Sequence, residues 1–324
     1  MEKEKMKKQM TLAALLGAAA ILAGCGNRSG TGKGAEFDTN QAIVPYTRDT
    51  NSGTREGFME KIGFDDAKKS DNGLKKSVQQ VTSNGDMLTQ LENQKYGVGY
   101  FSFDSATEAK KGGLKILNFE GVAPADDVIL NGTYQLARNF NYCIANETDA
   151  TKKLIVTAFV AYMQTQEGLA IIKSNGGTVD IKASTPTWDS VKANYAGIDS
   201  DHSTVTINFG GSTSVEKIAK ALSSAFAPLA GNFKPAHAHT GSGDAYKNTQ
   251  GAQAGTDDIA FASREFKLSD GEPLAEGTYG RICVDGIVVG VSRKNPMTNI
   301  TAAQAKSIYD ATSSVTKWAD LIPA

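Results

Sequence analysis

An α/β protein with parallel sheets is predicted by three observations. Strand-like and helix-like runs alternate along most of the chain, as when strands are joined through crossover helices. Two turns rich in glycine and hydroxyls sit where such strands would hand over to helices, at 48–56 and 210–214. Glycine is abundant at 33 residues and proline scarce at 8, the composition of an ordinary α/β domain. At 324 residues the chain can bury one large core or two medium ones.

The elements follow in order. The apolar run 42–46 opens a strand over 42–48, and a helix is expected over 53–62. Next come a helix at 85–94, a strand at 97–102, a strand at 134–144, and two helices within 150–174 around Gln166-Glu167-Gly168. Downstream, 204–209 reads as a strand, 214–226 as a helix, 258–262 as a short strand, 281–292 as a strand and 301–311 as a helix. Thr213-Ser214-Val215-Glu216 has the spacing of a capping box, which sets a helix start just after Gly210-Gly211. The stretch 175–202 is polar and irregular and reads as a surface connector.

A formal net charge of −1 argues against nucleic-acid binding and supplies no general field for anions. Any anion recognition must be local. Residues 1–24 read as a targeting segment: ten lysine-rich residues, then an apolar run too short to span a bilayer comfortably. Leu22-Ala23-Gly24-Cys25 is similar to a bacterial lipobox, which implies cleavage before Cys25 and a lipid on its sulfur. The glycine-rich 25–35 is then a flexible tether; Gly34 after Lys33 disqualifies it as a phosphate loop. Export places Cys143 and Cys283 in an oxidising compartment.

The most informative segment is Arg48-Asp49-Thr50-Asn51-Ser52-Gly53-Thr54-Arg55-Glu56. A helix start here combines free N–H groups, two hydroxyls and a guanidinium, the donor set an oxyanion needs. Arg48 can give two parallel charge-assisted hydrogen bonds, Ser52 and Thr54 give hydroxyls, and Gly53 lets its amide approach closely. A second set lies downstream in Gly210-Gly211-Ser212-Thr213-Ser214 and Thr240-Gly241-Ser242-Gly243. The plainer alternative for each is a helix cap or a turn.

These motifs together resemble the phosphate-binding proteins of bacterial phosphate ABC transporters, and the resemblance covers almost all of the chain beyond residue 35. Further segments share it: Asp258-Ile-Ala-Phe-Ala-Ser-Arg-Glu, Val284-Asp-Gly-Ile-Val-Val-Gly-Val, Asn295-Pro296, Lys317-Trp318, Tyr96-Gly-Val-Gly-Tyr-Phe-Ser, Gly132-Thr-Tyr-Gln-Leu-Ala-Arg and 159–168. The family presents the Gly-Gly-Ser-Thr-Ser segment near its start and the Arg-Asp-x-x-Ser-Gly-Thr segment later; here the order is reversed. The resemblance therefore implies a circularly permuted, two-lobed periplasmic-binding-protein type II fold, each lobe a mixed sheet flanked by helices. The rival account is a slice through a tandem array. One lobe takes 36–134 and 290–324, and the other takes 135–289 with its crossover strands.

By the same resemblance Arg48, Ser52, Gly53, Thr54, Ser212, Thr213, Ser214, Ser242, Gly243 and Ser263 contact phosphate. Many relatives carry an aspartate after the Ala-Ser of the third segment, which accepts the proton of hydrogen phosphate. Arg264 stands there and cannot accept one, so it either adds a second cation or turns away and leaves the role to Asp49 or Asp244. Near 134–144 and 280–292 two crossover strands should run antiparallel and form the hinge. Cys143 and Cys283 would then lie on neighbouring strands, as a disulfide or as two buried thiols.

His237-Ala238-His239 lacks a nearby thiol or carboxylate and reads as a solvated edge rather than a metal site. No metal, cofactor or catalytic residue is expected. The leading reading is a monomeric, lipid-anchored protein on the extracytoplasmic face of the cell membrane, delivering inorganic phosphate to ABC permease subunits. A binder of another tetrahedral oxyanion such as sulfate, a surface phosphate-ester hydrolase and a ligand sensor are the alternatives.

Overall fold

Fourteen residues of extended chain, Tyr279–Ser292, hold the protein together. They run from one half of a twisted sheet into the other. The computed structural model describes residues 36–322, so the targeting segment and the whole tether, Cys25 included, lie outside the described residues.

The chain opens with β1 (Val44–Arg48), α1 (Gly53–Lys61), β2 (Gln79–Val81), α2 (Asn84–Asn93) and β3 (Gly97–Ser102). It continues with α3 (Ala106–Lys111), β4 (Leu114–Ile116), β5 (Asn118–Phe119), α4 (Asp126–Leu130) and β6 (Ala137–Ile144). Then come α5 (Ala150–Met163), α6 (Gln166–Ser174), α7 (Trp188–Val191), β7 (Thr206–Gly211), α8 (Glu216–Phe226), β8 (Lys234–His239) and α9 (Gly243–Thr249). The last elements are β9 (Ile259–Ala262), β10 (Tyr279–Ser292), β11 (Asn299–Ile300) and α10 (Ala302–Tyr309).

The main sheet runs β2-β1-β3-β10-β6-β9-β7-β8, with β4 also on β10. Its outer strands pair in parallel, β1 with β2 and β3, and β7 with β8 and β9. The centre is antiparallel: β10 pairs with β6 through Tyr279–Gly286 and with β3 through Ile287–Val291. The two crossover strands thus run antiparallel, as expected.

Apolar burial divides with the sheet. One cluster, built on Phe140, Phe159, Tyr162, Trp188, Phe209 and Phe226, packs α5, α6 and α8 against β7 and β9. Another, built on Phe58, Tyr100, Tyr134, Tyr309 and Trp318, draws on both ends of the chain. A smaller cluster around Tyr46, Met87, Leu91 and Phe101 lies under α2. Each large side chain buried this way contributes about 1.5–3 kcal/mol. α5 shows how the sequence sets this: Asp149 accepts from the amides of Thr151 and Lys152, and Ile155, Val156, Phe159, Tyr162 and Met163 turn inward.

Two expectations need correction, one strand is added, and one choice left open by the sequence is decided. α8 begins at Glu216 without a side-chain cap. Thr213, the expected cap, instead accepts from the Arg48 guanidinium at 2.8 Å; a genuine capping box sits at Thr301 and Gln304. The stretch 175–202 is a packed segment, not a loose connector: it contains α7, and Trp188 and Ile198 are buried. β8 was not anticipated, because its alternating Lys-Pro-Ala-His-Ala-His carries no apolar signal. Finally, Cys143 and Cys283 are free. Register puts Cys143 opposite Tyr279 and Cys283 opposite Phe140, with an irregularity between Arg281 and Cys283. The thiols therefore enter different apolar clusters.

Burial pushes the Cys143 thiol up to about 12 and that of Cys283 well above its usual range, so neither forms thiolate at neutral pH. Alkylation followed by mass spectrometry should modify neither residue in the native protein and both after non-reducing denaturation. Recovery of a bridged 143–283 peptide pair would contradict this register.

Candidate anion-binding site

Parallel strands from both halves of the sheet end at one place. β1 stops at Arg48, β2 at Val81, β7 at Gly211 and β9 at Ala262. Ligands of α/β sheets gather at such carboxyl ends, where helices begin with free N–H groups. Gly211 is required at its turn: its φ is +83°, and a Cβ there would lie 2.2 Å from the Phe261 carbonyl oxygen.

Arg48 is only 1% exposed. Its guanidinium donates to Asn84 Oδ1 at 3.0 Å, to the Thr82 carbonyl at 2.9 Å and to Thr213 Oγ1 at 2.8 Å. Its Nε meets no acceptor among the described residues. Among the described residues its ion pairing is confined to Asp49 at 4.0 Å. Burial pushes the Arg48 pKa down to about 10; Asp49 opposes the shift and nearby Arg138 adds to it. Arg55, in the same motif, has a different task. It is fully buried and donates to the carbonyls of Ala67, Arg48 and Ser70, fixing the turn behind Arg48.

The two hydroxyl sets meet. Thr54 Oγ1 and Ser214 Oγ are 2.8 Å apart, and Ser242 Oγ and Ser263 Oγ are 3.1 Å apart. Ser52 caps α1 by accepting from the Arg55 amide at 3.3 Å. Ser212 Oγ accepts from the Ser214 amide at 3.2 Å, and Ser242 Oγ from the Ser263 amide at 2.9 Å. The Gly243 amide donates to the Asn51 carbonyl at 3.2 Å, so it serves the contact between the two loops. Gly53 is pressed against the opposite loops: an added Cβ would lie 2.4 Å from Ser242 Oγ and 2.7 Å from Ser263 Oγ. The residues singled out in the sequence thus lie close together where these loops meet.

Of the two courses open to it, Arg264 takes the second: it turns to carboxylates instead of adding a second cation. Its Nε pairs with Glu56 at 3.0 Å and its terminal nitrogens with Glu272 at 2.8 and 2.6 Å. Lys267 also reaches Glu56, at 2.6 Å. These ion pairs tie α1 to the segment after β9, beside a cleft of about 370 Å³ that Arg138 and Ser263 also line. Of the two acids considered for the acceptor role, Asp49 accepts from the Asn51 amide and Asp244 holds the Asn51 and Thr240 side chains.

Sequence reasoning gave no role to several residues that converge here. Asn84 braces Arg48 and lies 3.4 Å from Ser214 Oγ. Arg138 on β6 donates to Thr54 Oγ1 at 2.9 Å and to the Ser263 carbonyl at 3.2 Å, and Asp285 on β10 binds it at 2.8 Å. The signal for Arg138 was present as the last residue of 132–138, but spacing alone could not show where it points. The histidines lie on an edge strand, as expected, but are not fully solvated. His237 and His239 are half-buried on one face of β8, and His237 stacks on Phe209 with ring centroids 4.8 Å apart. Ser223 Oγ, His237, His239 and the Ser212 carbonyl form a chain with separations of 2.9, 3.2 and 3.1 Å. One neutral ring must donate to the other, so the chain suits two uncharged imidazoles.

A model of the PBP superfamily domain matches residues 196–324. The chain is 29% identical over 317 residues to "Phosphate-binding protein PstS 2" of Streptococcus pneumoniae, covering 97% of this chain and 98% of that protein. It is 27% identical over 326 residues to the protein of the same name from Streptococcus agalactiae, covering 99% of each. Among solved structures, a phosphate-binding protein of a Streptococcus pneumoniae phosphate ABC transporter superposes with a TM-score of 0.62 at 23% identity, over 87% of this chain and all of that one.

Two outcomes test the geometry. Gly53→Ala forces a methyl group against Ser242 and Ser263 and should lower the unfolding free energy in urea by about 1–3 kcal/mol; no loss would mean that the loops do not press together. Burial, helped by His239 and Lys220, holds His237 near pKa 4, below its ordinary 6.5. Between those values the unfolded chain binds a proton that the folded chain refuses, so stability falls as pH drops from 6.5 towards 4. His237→Gln should flatten that part of the profile, and an unchanged slope would place the acid sensitivity elsewhere.

Proposed function

We infer that this chain belongs to the phosphate-binding proteins of ABC transporters. It acts outside the cytoplasm, captures inorganic phosphate and passes it to the transporter's permease subunits, and it is not an enzyme. The observation that carries this reading is the state of Arg48. A guanidinium 1% exposed, with its carboxylate contact at 4.0 Å and its Nε undonated, sits among hydroxyls from both halves of the sheet. Burying an ion costs several kcal/mol unless a counter-charge and hydrogen bonds offset it. A tetrahedral oxyanion supplies both at once.

The finer reading gives each residue a task. Arg48 faces the anion with its charge, Ser52, Thr54, Ser212, Thr213, Ser214, Ser242 and Ser263 rotate their hydroxyls towards it, and the amide of Gly53 approaches without a side chain in the way. Gly243 holds the loop that carries Ser242. Residues 36–134 with 290–324 form one lobe and 135–289 the other, hinged on β6 and β10. The apolar clusters support two lobes, with the crossing points shifted towards the second lobe on both strands, since Leu136, Ile287 and Val289 pack with the first lobe. Closure then follows from the anion binding the closed form more tightly; moving the balance from about 1:99 to 99:1 takes about 5.5 kcal/mol, within reach of a few charge-assisted hydrogen bonds at about 1.5–3 kcal/mol each. The segment order is a circular permutation in this reading, and full-length matches to the streptococcal relatives favour it over a slice of a tandem array. Lipid on Cys25 anchors the protein, as a monomer, to the cell membrane.

Sulfate is the competing ligand, because Arg264 occupies the position where a carboxylate would accept the proton of hydrogen phosphate. Isothermal titration should show phosphate binding with sulfate bound at least ~100-fold more weakly, the discrimination expected when a site's polar groups are left unpaired. Tighter sulfate binding would overturn the ligand. Arg48→Met should weaken phosphate binding ~100-fold or more, the equivalent of one or two lost charged hydrogen bonds. Unfolding of the phosphate-free variant should change little; a large loss of stability with intact binding would make Arg48 a structural residue.

A further inference from the structure

Arg138 is the second cation at the site, and its position on the hinge strands distinguishes it from Arg48. Arg48 ends a strand of one half-sheet. Arg138 lies on β6 directly opposite Asp285 of β10, at a paired position of the antiparallel ladder. Its side chain is 6% exposed and that of Asp285 is wholly buried. The guanidinium presents two edges. One, Nε and a terminal nitrogen, grips Asp285 Oδ2 at 3.0 and 2.8 Å. The other faces the hydroxyls, reaching Thr54 Oγ1 at 2.9 Å and Ser214 Oγ at 3.4 Å. Thr54 and Ser214 come from opposite halves of the sheet and touch each other at 2.8 Å.

The mount is rigid. Asp285 Oδ1 accepts from Ser102 Oγ at 2.8 Å, so a third strand fixes the carboxylate that fixes the arginine. Phe140, two residues along β6, lies with its ring centroid 5.1 Å from the guanidinium carbon and steadies its face. A pair made within the β6–β10 ladder keeps its geometry when the regions on either side move, because both partners ride on the pivot.

Resting on the phosphate-capture reading, we propose that Arg138 is an anion-binding residue, a pivot-mounted guanidinium that meets the oxyanion between Thr54 and Ser214 while Asp285 positions it. Two guanidinium groups then address one doubly charged guest, Arg48 from a strand end and Arg138 from the hinge. The mutual repulsion of these cations, seen in the added downward push of Arg138 on Arg48, is relieved by the anion that joins them. Asp285 is a positioning residue. It cancels the charge of Arg138 while the hydroxyls face one another, and it keeps the free edge aimed at them.

The test must separate a binding role from a merely structural ion pair. Removing one partner leaves a lone buried charge and destabilises for that reason alone, whereas replacing both is often tolerated. Arg138→Met combined with Asp285→Asn removes the pair as a pair. Isothermal titration of the wild-type protein with inorganic phosphate and then sulfate identifies the anion carried forward, so a wrong ligand does not obscure the role of Arg138; binding of neither overturns both readings. With that anion the double variant should bind ~100-fold or more weakly, the loss of one or two charged hydrogen bonds. Asp285→Asn alone, with the guanidinium kept, should lose less. Wild-type affinity in the double variant overturns the proposal. Should the double variant not fold, Arg138→Lys replaces it: charge retained without the two-edged fork should cost ~10-fold in affinity, and an unchanged affinity again overturns the proposal.

Discussion

A charged guanidinium buried at the end of β1 constrains much of what surrounds it. Arg48 cannot be withdrawn from water cheaply, and the chain surrounds it with dipoles rather than a close carboxylate. Asn84, the Thr82 carbonyl and Thr213 provide them from two different strand ends and a helix start. The turn behind it is held by Arg55, whose guanidinium is spent on backbone carbonyls and on Asp71 at 2.7 Å. Neighbouring arginines of one short motif thus diverge: one satisfied by the fold, the other left with capacity for an external partner.

The same logic separates the carboxylates. Glu56, which lines the cleft, and Glu272 are consumed by Arg264 and Lys267, so these carboxylates hold α1 against the segment after β9. Asp285 is consumed by Arg138. What remains facing the meeting point is a set of hydroxyls, which both donate and accept and so adjust to a guest without a change of charge. Their present bonds to one another are the natural resting state of such groups when the two loops touch, since a buried hydroxyl without a partner costs about 1–3 kcal/mol.

The position of the histidine chain adds a mechanical link. Ser212 lies at one end of it and Ser223 on α8 at the other, with two stacked imidazoles between. The backbone of a site loop is therefore braced by an edge strand and a helix through side chains that stay bonded unless both rings are protonated.

Local chemistry settled a good deal from the sequence alone. Alternating runs located nearly every long element to within a few residues, because burial of one face imposes its period on the chain. The hydroxyl-and-glycine turns were legible because helix starts need caps and close approaches need glycine; Ser52 does cap α1, and Gly53 does meet the opposite loops. What the sequence could not decide were directions and registers. Thr213 had the spacing of a cap, yet the Arg48 side chain, distant in sequence, claimed its hydroxyl. Cys143 and Cys283 lay on neighbouring strands, yet the ladder offset sent them to separate clusters. Arg138 showed its importance only once Asp285 stood opposite it, and Arg264 lost its place at the site only once Glu56 and Glu272 closed around it. Residue types and their spacing follow from short-range sterics and periodicity; which charge meets which depends largely on contacts between segments distant in sequence, and these exist only after the chain has folded.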